Sequence, residues 1–570
     1  MSGWQRAVAL WAIPLILATA CSSPAPSALP AVPAPRLAEG PKRIVTAIKG
    51  DPFTLSQAIN TAGSGSIDGI PEVEQFVHVG LATINGDGRL LPRLAETLPS
   101  IENGQWKVFP DGRMETTWKL RPGLVWHDGA PFNADDLVFT TTVAQDRTIS
   151  IARGSAFESV ESVQAVDDRT VLVLWKRPFI EADGLFSPAD TSRILPLPRH
   201  LLERGFTEDK ANFSQHPYWA TEFVGLGPFK LREWVLGSHL VLDANDHYVH
   251  GRPKIDTVEV RFIIDANTTV ANMLAGTVDV TLGRGLSIEQ ALTAREQWAQ
   301  GRVDATLASW TALFPQFLNP SPALLSNVLL RRALLHALDR QQFTDILQGG
   351  LSPVAHSILI PGGADDAALE PSIIRHAYDP RVAVQLLDGL GLSKGADGVY
   401  RDGAGQPLSM EIRTTRDDLR ERLLPAIGDG WRQVGIGFEP VLIATQAASD
   451  RQYRSTYPGF ELTRQPPELQ RYYSTEVALP ENNFRGNNRV RYASPVLDSL
   501  LDRYFTTIPK TERGQALGQV VHHMTDQLLV MGIFYTVEPA LISNRVTNIL
   551  SRKVENGRHT WNAHEWAPHG

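Results

Sequence analysis

Few residue groups in this chain have the types and spacing that covalent or metal chemistry needs. Trp126-His127-Asp128-Gly129 sets an imidazole beside a carboxylate. No further ligand lies nearby in sequence, so His127 reads as a turn histidine rather than a metal ligand. His522 and His523 are adjacent on a predicted helix and point to different faces. His559 and His564 fall close to a terminus, where chains fray. Gly225-Leu226-Gly227-Pro228 imitates the start of a dinucleotide fingerprint, but Pro228 blocks a helix there and the third glycine is missing. The Gly/Ser-rich stretch 61–66 has the composition of a phosphate cradle without the Lys-Ser/Thr pair that would complete it, and reads as a loop. HExxH, GxSxG and P-loop patterns are missing from the sequence. The expectation is a chain with no catalytic residue, no metal and no cofactor.

Composition narrows the setting. At 570 residues the chain is long enough for two or three domains. Its net charge of −8 is spread over both signs, with no basic tract for nucleic acid. Residues 7–20 are almost wholly apolar, broken by Pro14, which is the length of a signal-peptide core and too short to span a bilayer. Leu17-Ala18-Thr19-Ala20-Cys21 follows. Either Cys21 becomes a lipidated first residue, although Ala18 stands where leucine is usual, or the leader is an ordinary secretory one. Cys21 is the sole cysteine, so internal disulfides are excluded. Residues 22–35, rich in Ser, Pro and Ala, read as a flexible tether.

The elements that hold these groups follow from periodicity. Met114, Thr116, Trp118 and Leu120 alternate as one face of a half-buried strand. Asn133 caps a helix whose first turn carries Asp135 and Asp136, where the helix dipole favours negative charge. Further helices are expected after Ser326, Asp339, Asp379-Pro380, Ser494-Pro495 and Thr511. Hairpin turns are expected at Asp397-Gly398 and Asp402-Gly403. Periodicity alone supports a large α/β chain with more than one domain.

The wording of 118–139, WKLRPGLVWHDGAPFNADDLVF, resembles the extracellular solute-binding proteins of family 5, the dipeptide, oligopeptide and nickel binders that feed ABC importers. The resemblance continues through Leu91-Pro92-Arg93-Leu94-Ala95-Glu96, Gly227-Pro228-Phe229, Val278-Asp279-Val280, the segment 328–340 (VLLRRALLHALDR) and 531–535, covering about 41–550. It implies an α/β bilobal fold of the periplasmic-binding-protein type II kind, a Venus flytrap with an extra subdomain inserted in lobe I. On that plan 1–20 is the signal peptide and 21–40 the tether. Lobe I takes 41–76, 215–283 and 533–570, the insert 77–214, and lobe II 284–532.

The implied function is capture of a peptide-like solute between the lobes and its delivery to an ABC permease and its ATPase. The receptor would be a monomer outside the cytoplasm, held to the membrane through Cys21. A sugar, an opine or a metal chelate is the alternative ligand, and a secreted hydrolase on a bilobal scaffold the alternative class. In peptide-binding members an acidic residue of lobe II pairs with the ligand's α-amino group. In the matching stretch here the expected aspartate is missing; Thr463 or Arg464 stands in its neighbourhood, and Glu461 is the nearest acid. Arg464, if it faces the cleft, favours carboxylate or phosphate; the alternative is a solvated surface arginine. Trp310, Phe314, Phe317 and Asn319, just past the first crossing, are ligand-contact candidates, as are Tyr472 and Tyr473; the alternative for each is core packing.

Overall fold

Two long strands run side by side through the molecule and join its halves. The computed structural model describes residues 41–60, 69–149, 151, 154–188, 194–362, 366–554 and 557–569. The leader, the tether, Cys21 and the Gly/Ser stretch 61–66 lie outside the described residues. Gly301–Pro315 pairs antiparallel with Met531–Ser543 along most of its length, Gly301 opposite Ser543 and Leu313 opposite Met531. Both strands are almost wholly apolar or small over their buried stretches, as strands covered on both faces must be.

These strands occupy the middle of a ten-stranded sheet. At one end Val280 pairs with Ile542, and beyond it Arg43–Ile48 runs parallel to Thr257–Phe262. At the other end Phe460–Gln465 pairs with 310–315, and two parallel strands, Ser409–Thr415 and Gly437–Ile443, complete that half. Between the two ends, over about 303–309 and 535–541, the crossing strands have only each other in the sheet. A register shift between Leu307 and Trp310 falls in this two-stranded stretch. An irregularity of this kind bends a strand and raises its twist.

Separate cores flank the crossing. Helices Val328–His336 and Asp418–Gln433 cover one face of the second half, burying Leu334, Leu424, Trp431 and Phe460. Pro495–Thr506 and Lys510–Asp526 cover the other. The helix Ile288–Gln297 packs through Ala291 and Ala294 on Ala47, Met273 and Leu541 of the first half. A boundary at 283/284 assigns this helix to lobe II, whereas its apolar face packs on the first half. Met531, Ile533 and Phe534 conversely sit in the second-half core. The change of lobe therefore falls within the crossing strands themselves.

The stretch between Val77 and Phe229 adds a four-stranded antiparallel sheet, ordered Trp106–Val108, Met114–Lys119, Thr170–Trp175 and Val160–Asp167. Met114, Thr116 and Trp118 alternate inward as expected. Asn133 caps Ala134–Gln145 in a full capping box with Asp136, each side chain satisfying an orphan N–H. Asp379-Pro380 and Ser494-Pro495 start their helices as expected. The helix expected after Ser326 is capped by Asn327 and starts at Val328, because 323–326 forms its own tight turn. The helix expected at Thr511 starts at Lys510.

The insert is joined to the first half by a tight backbone contact. A Cβ on Gly225 would lie 2.0 Å from the Val77 carbonyl oxygen, and one on Gly227 2.3 Å from the Val77 carbonyl carbon. Two imidazoles hold the loop there. His78 Nδ1 accepts from the Leu226 N–H and His127 Nδ1 from the Gly225 N–H, each at 3.2 Å. Their Nε2–H groups donate to the Pro196 and Gly227 carbonyls, at 2.8 and 3.0 Å. Only neutral rings can accept and donate in this way. Burial accordingly pushes His78 down to about 3 and His127 down to about 4.

Candidate functional site

Charged groups from both halves converge on the crossing strands. Glu538, on the second crossing strand, accepts from Arg464 of the second half and pairs with Arg552 at 2.6 Å and Arg284 at 3.5 Å. Arg464 also bonds Ser309 on the first crossing strand. Arg552 further reaches Glu72, at 3.9 Å, on the helix Ile70–Val77 of the first half. Burial raises the Glu538 carboxyl, but the charges of Arg552, Arg464 and Arg284 outweigh burial and hold it below its ordinary value. Thr306 donates to the Arg552 carbonyl at 2.6 Å, and His559 lies 2.6 Å from Asp304, tying the C-terminal segment to the same strand. Arg464 is thus neither a free anion-binding group nor a solvated surface arginine; its charge is engaged at the crossing.

The halves also meet away from the strands. Arg422 of the second half lies 3.6 Å from Glu289 of the first, both exposed. Ile508, in the turn between the last two long helices, packs on the core of the first half. Burial pushes Asp183 of the insert up to about 6, opposed by the charge of Arg513 from the second half. The charge of Arg177 on the insert likewise acts on the phenol of Tyr473.

The aromatic candidates divide into core and margin. Trp310 and Phe314 are 2% exposed and pack edge to face within the core that holds Leu497, Leu501 and Val520. Tyr472 lies in that core too. Their alternation on strand and turn points them under the last two long helices, so they are packing residues rather than ligand contacts. Phe317 is half-buried between Tyr492 and the Arg331 guanidinium, 4.6 Å from its ring centre. Asn319 is exposed in a left-handed turn at φ 58°. Tyr473 is half-buried and donates to Asp502 of the helix Pro495–Thr506 at 3.0 Å. Of the eight, Arg464 lies at the crossing, bonded to Ser309 and Glu538, and Tyr473 lies at the margin of the second-half core.

Glu461 is 1% exposed and already neutralised, by Arg454 and by Arg489 at 2.7 Å. A ligand ammonium has no access to it. Its two partners open instead onto a cavity of about 460 Å³ in the second half, lined by Arg451, Arg454, Arg471, Arg485 and Arg489 with Phe484 and Asn487. Sequence reading missed this cluster. The signal was present in Arg451 and Arg454 three apart and in Arg485 and Arg489 four apart, but the two pairs are separated by some thirty residues. Among the described residues no group of three or more His, Cys, Asp or Glu could hold a metal ion.

The chain matches the model of bacterial extracellular solute-binding proteins, family 5, over residues 91–463. It is 24% identical over 462 residues to the oligopeptide-binding protein AppA of Bacillus subtilis, covering 79% of this chain and 78% of that one. In structure it is similar to the AppA of Bacillus subtilis in complex with a nonapeptide, with a TM-score of 0.68 and 21% identity, over 93% of this chain and all of the other. It is also similar to NikZ of Campylobacter jejuni in complex with Ni(L-His), with a TM-score of 0.69 and 22% identity, over 92% and 99% of the two chains.

Proposed function

The chain belongs to the bacterial extracellular solute-binding proteins of family 5, which serve ABC transporters and are not enzymes, and we propose that it captures a peptide-like solute between its lobes and passes it unaltered to an ABC permease. The observation that carries this reading is the crossing. Two strands that pair only with each other for several residues, one with a register shift, form a joint that can bend without breaking either core. A solute that touches both lobes favours the closed arrangement by its differential affinity for it. No bond need be made or broken.

Anchoring through a lipidated Cys21 would keep the receptor beside its permease and raise its local concentration there. Lobe I would be the half that carries the insert, and the solute gap would be bounded by Tyr473 and the insert.

The test is native mass spectrometry of the purified chain, followed by unfolding, refolding and return of any released compound. The reading expects a bound solute that returns intact and raises Tm by mass action. Conversion of that compound by the protein, or a solute that binds without raising Tm, would reject it.

A further inference from the structure

The net charge of the chain is −8, yet five guanidinium groups line one cavity of its second half. Arg451 and Arg454 come from the short helix Arg451–Ser455, Arg471 from the turn Leu469–Tyr472, and Arg485 and Arg489 from the loop ahead of the helix Pro495–Thr506. No carboxylate lines the cavity. Glu461 lies beneath it and is shared by Arg454 and Arg489. Glu468 holds Arg471 at 2.7 Å. Asp450 caps the helix through the Tyr453 N–H, and Glu476 accepts from Asn487. Neither Arg451 nor Arg485 has an ion pair among the described residues.

Clustering like charges costs energy unless something of opposite sign offsets it. Glu461 offsets part of that cost and leaves a net positive cavity. Guanidinium is the side chain best matched to carboxylate and phosphoryl oxygens, which it grips through two parallel N–H groups. Phe484 supplies an apolar wall and the Asn487 amide further polar capacity. A volume of about 460 Å³ suits a small organic group rather than a single ion. The turn that carries Arg471 is held to the helix Pro495–Thr506, where Tyr473 donates to Asp502 at 3.0 Å and the Ser474 N–H to Asp498 at 2.8 Å, and the turn after that helix packs Ile508 on the core of the first half.

We infer that this cavity holds the acidic end of the captured solute, a group bearing two or more negative charges on carboxylate or phosphoryl oxygens. The inference rests on the receptor reading and adds a solute class to it: acidic peptides or polycarboxylate chelates rather than neutral peptides.

Calorimetry on the purified full chain tests it with the matched peptides Ala-Glu-Glu-Ala and Ala-Gln-Gln-Ala, with citrate, and with inorganic phosphate. The acidic peptide and citrate are expected to bind at least tenfold more tightly than the neutral peptide, and to weaken as salt rises. Citrate without phosphate would assign the site to carboxylates, and phosphate without citrate to phosphoryl groups. The double variant Arg451→Gln/Arg485→Gln removes the two unpaired guanidinium groups and leaves Glu461 satisfied. It is expected to lower acidic-probe affinity at least tenfold with Tm unchanged. Equal affinity for the two peptides, failure of every acidic probe to bind, or unchanged acidic-probe affinity in the variant would overturn the inference. Neutral-peptide binding with lobe closure would leave the receptor reading standing while this one fails. Acidic-probe binding lost in the variant but never accompanied by closure would have the opposite meaning.

Discussion

Around Gly225 and Gly227 the insert meets the first lobe through bare backbone held by two neutral imidazoles. Around Glu538 the two lobes meet through arginines and carboxylates on a pair of strands that have only each other. The first junction has no room for a methyl group and no charge to exchange, so it holds one geometry. The second is built from long side chains joined in several ion pairs. On the proposed reading, one chain carries a fixed joint and a movable one.

The sharpest way to break the fixed joint is Gly225→Ala. The new Cβ must displace the Val77 carbonyl, so a loss of more than about 4 kcal/mol, read as failure to fold or a collapsed Tm, is expected. At the movable joint, Glu538→Gln leaves Arg464 and Arg552 facing an amide. A buried charge stripped of its partner costs about 3–5 kcal/mol, and urea unfolding should show a loss near the lower end because the rest of the arginine network can relax.

Acid should loosen the fixed joint. His78 and His127 sit near 3 and 4 when folded and near 6.5 when unfolded, so the unfolded chain binds protons first as pH falls. Their contribution is full above pH 6.5 and is lost progressively down to about pH 4 for His127 and about pH 3 for His78, on the order of 3 kcal/mol per histidine by pH 4. Glu74 pulls the other way, since burial raises it to about 8 and stability falls as pH rises from its unfolded value toward 8. In a Glu74→Gln variant, Tm should therefore climb from pH 4 to 6.5 and stay level to pH 8. Wild type should decline over 6.5–8. The smallest effect is expected at the exposed Arg422–Glu289 pair: Arg422→Ala should change Tm by an amount within error yet favour lobe opening, since exposed pairs contribute under about 1 kcal/mol.

Local order was legible where a side chain acts on its own backbone. Asn133, Asp379-Pro380 and Ser494-Pro495 announce their helices because a cap needs only neighbours two or three residues away. His127 was readable as a turn residue because it lacks companion ligands, although the loop it grips lies about a hundred residues on. The site was far less legible. Glu461 and Arg464 sit three apart on one strand and face opposite sides, one toward Arg454 and Arg489, the other toward Glu538. Sequence cannot tell a charged residue that waits for a ligand from one already paired, because the partner arrives by tertiary folding. The same holds for Trp310 and Phe314, whose aromatic character fits a cleft wall as well as the core they occupy.

Spin labels placed at Lys176 on the insert and Thr506 on the second lobe, in a chain carrying Cys21→Ala, test the movable joint directly. Pulsed dipolar spectroscopy should resolve a short and a long distance in the stripped protein, and return of the co-purified solute should gather the population into the short one. A single distance, the same with and without solute, would contradict the account.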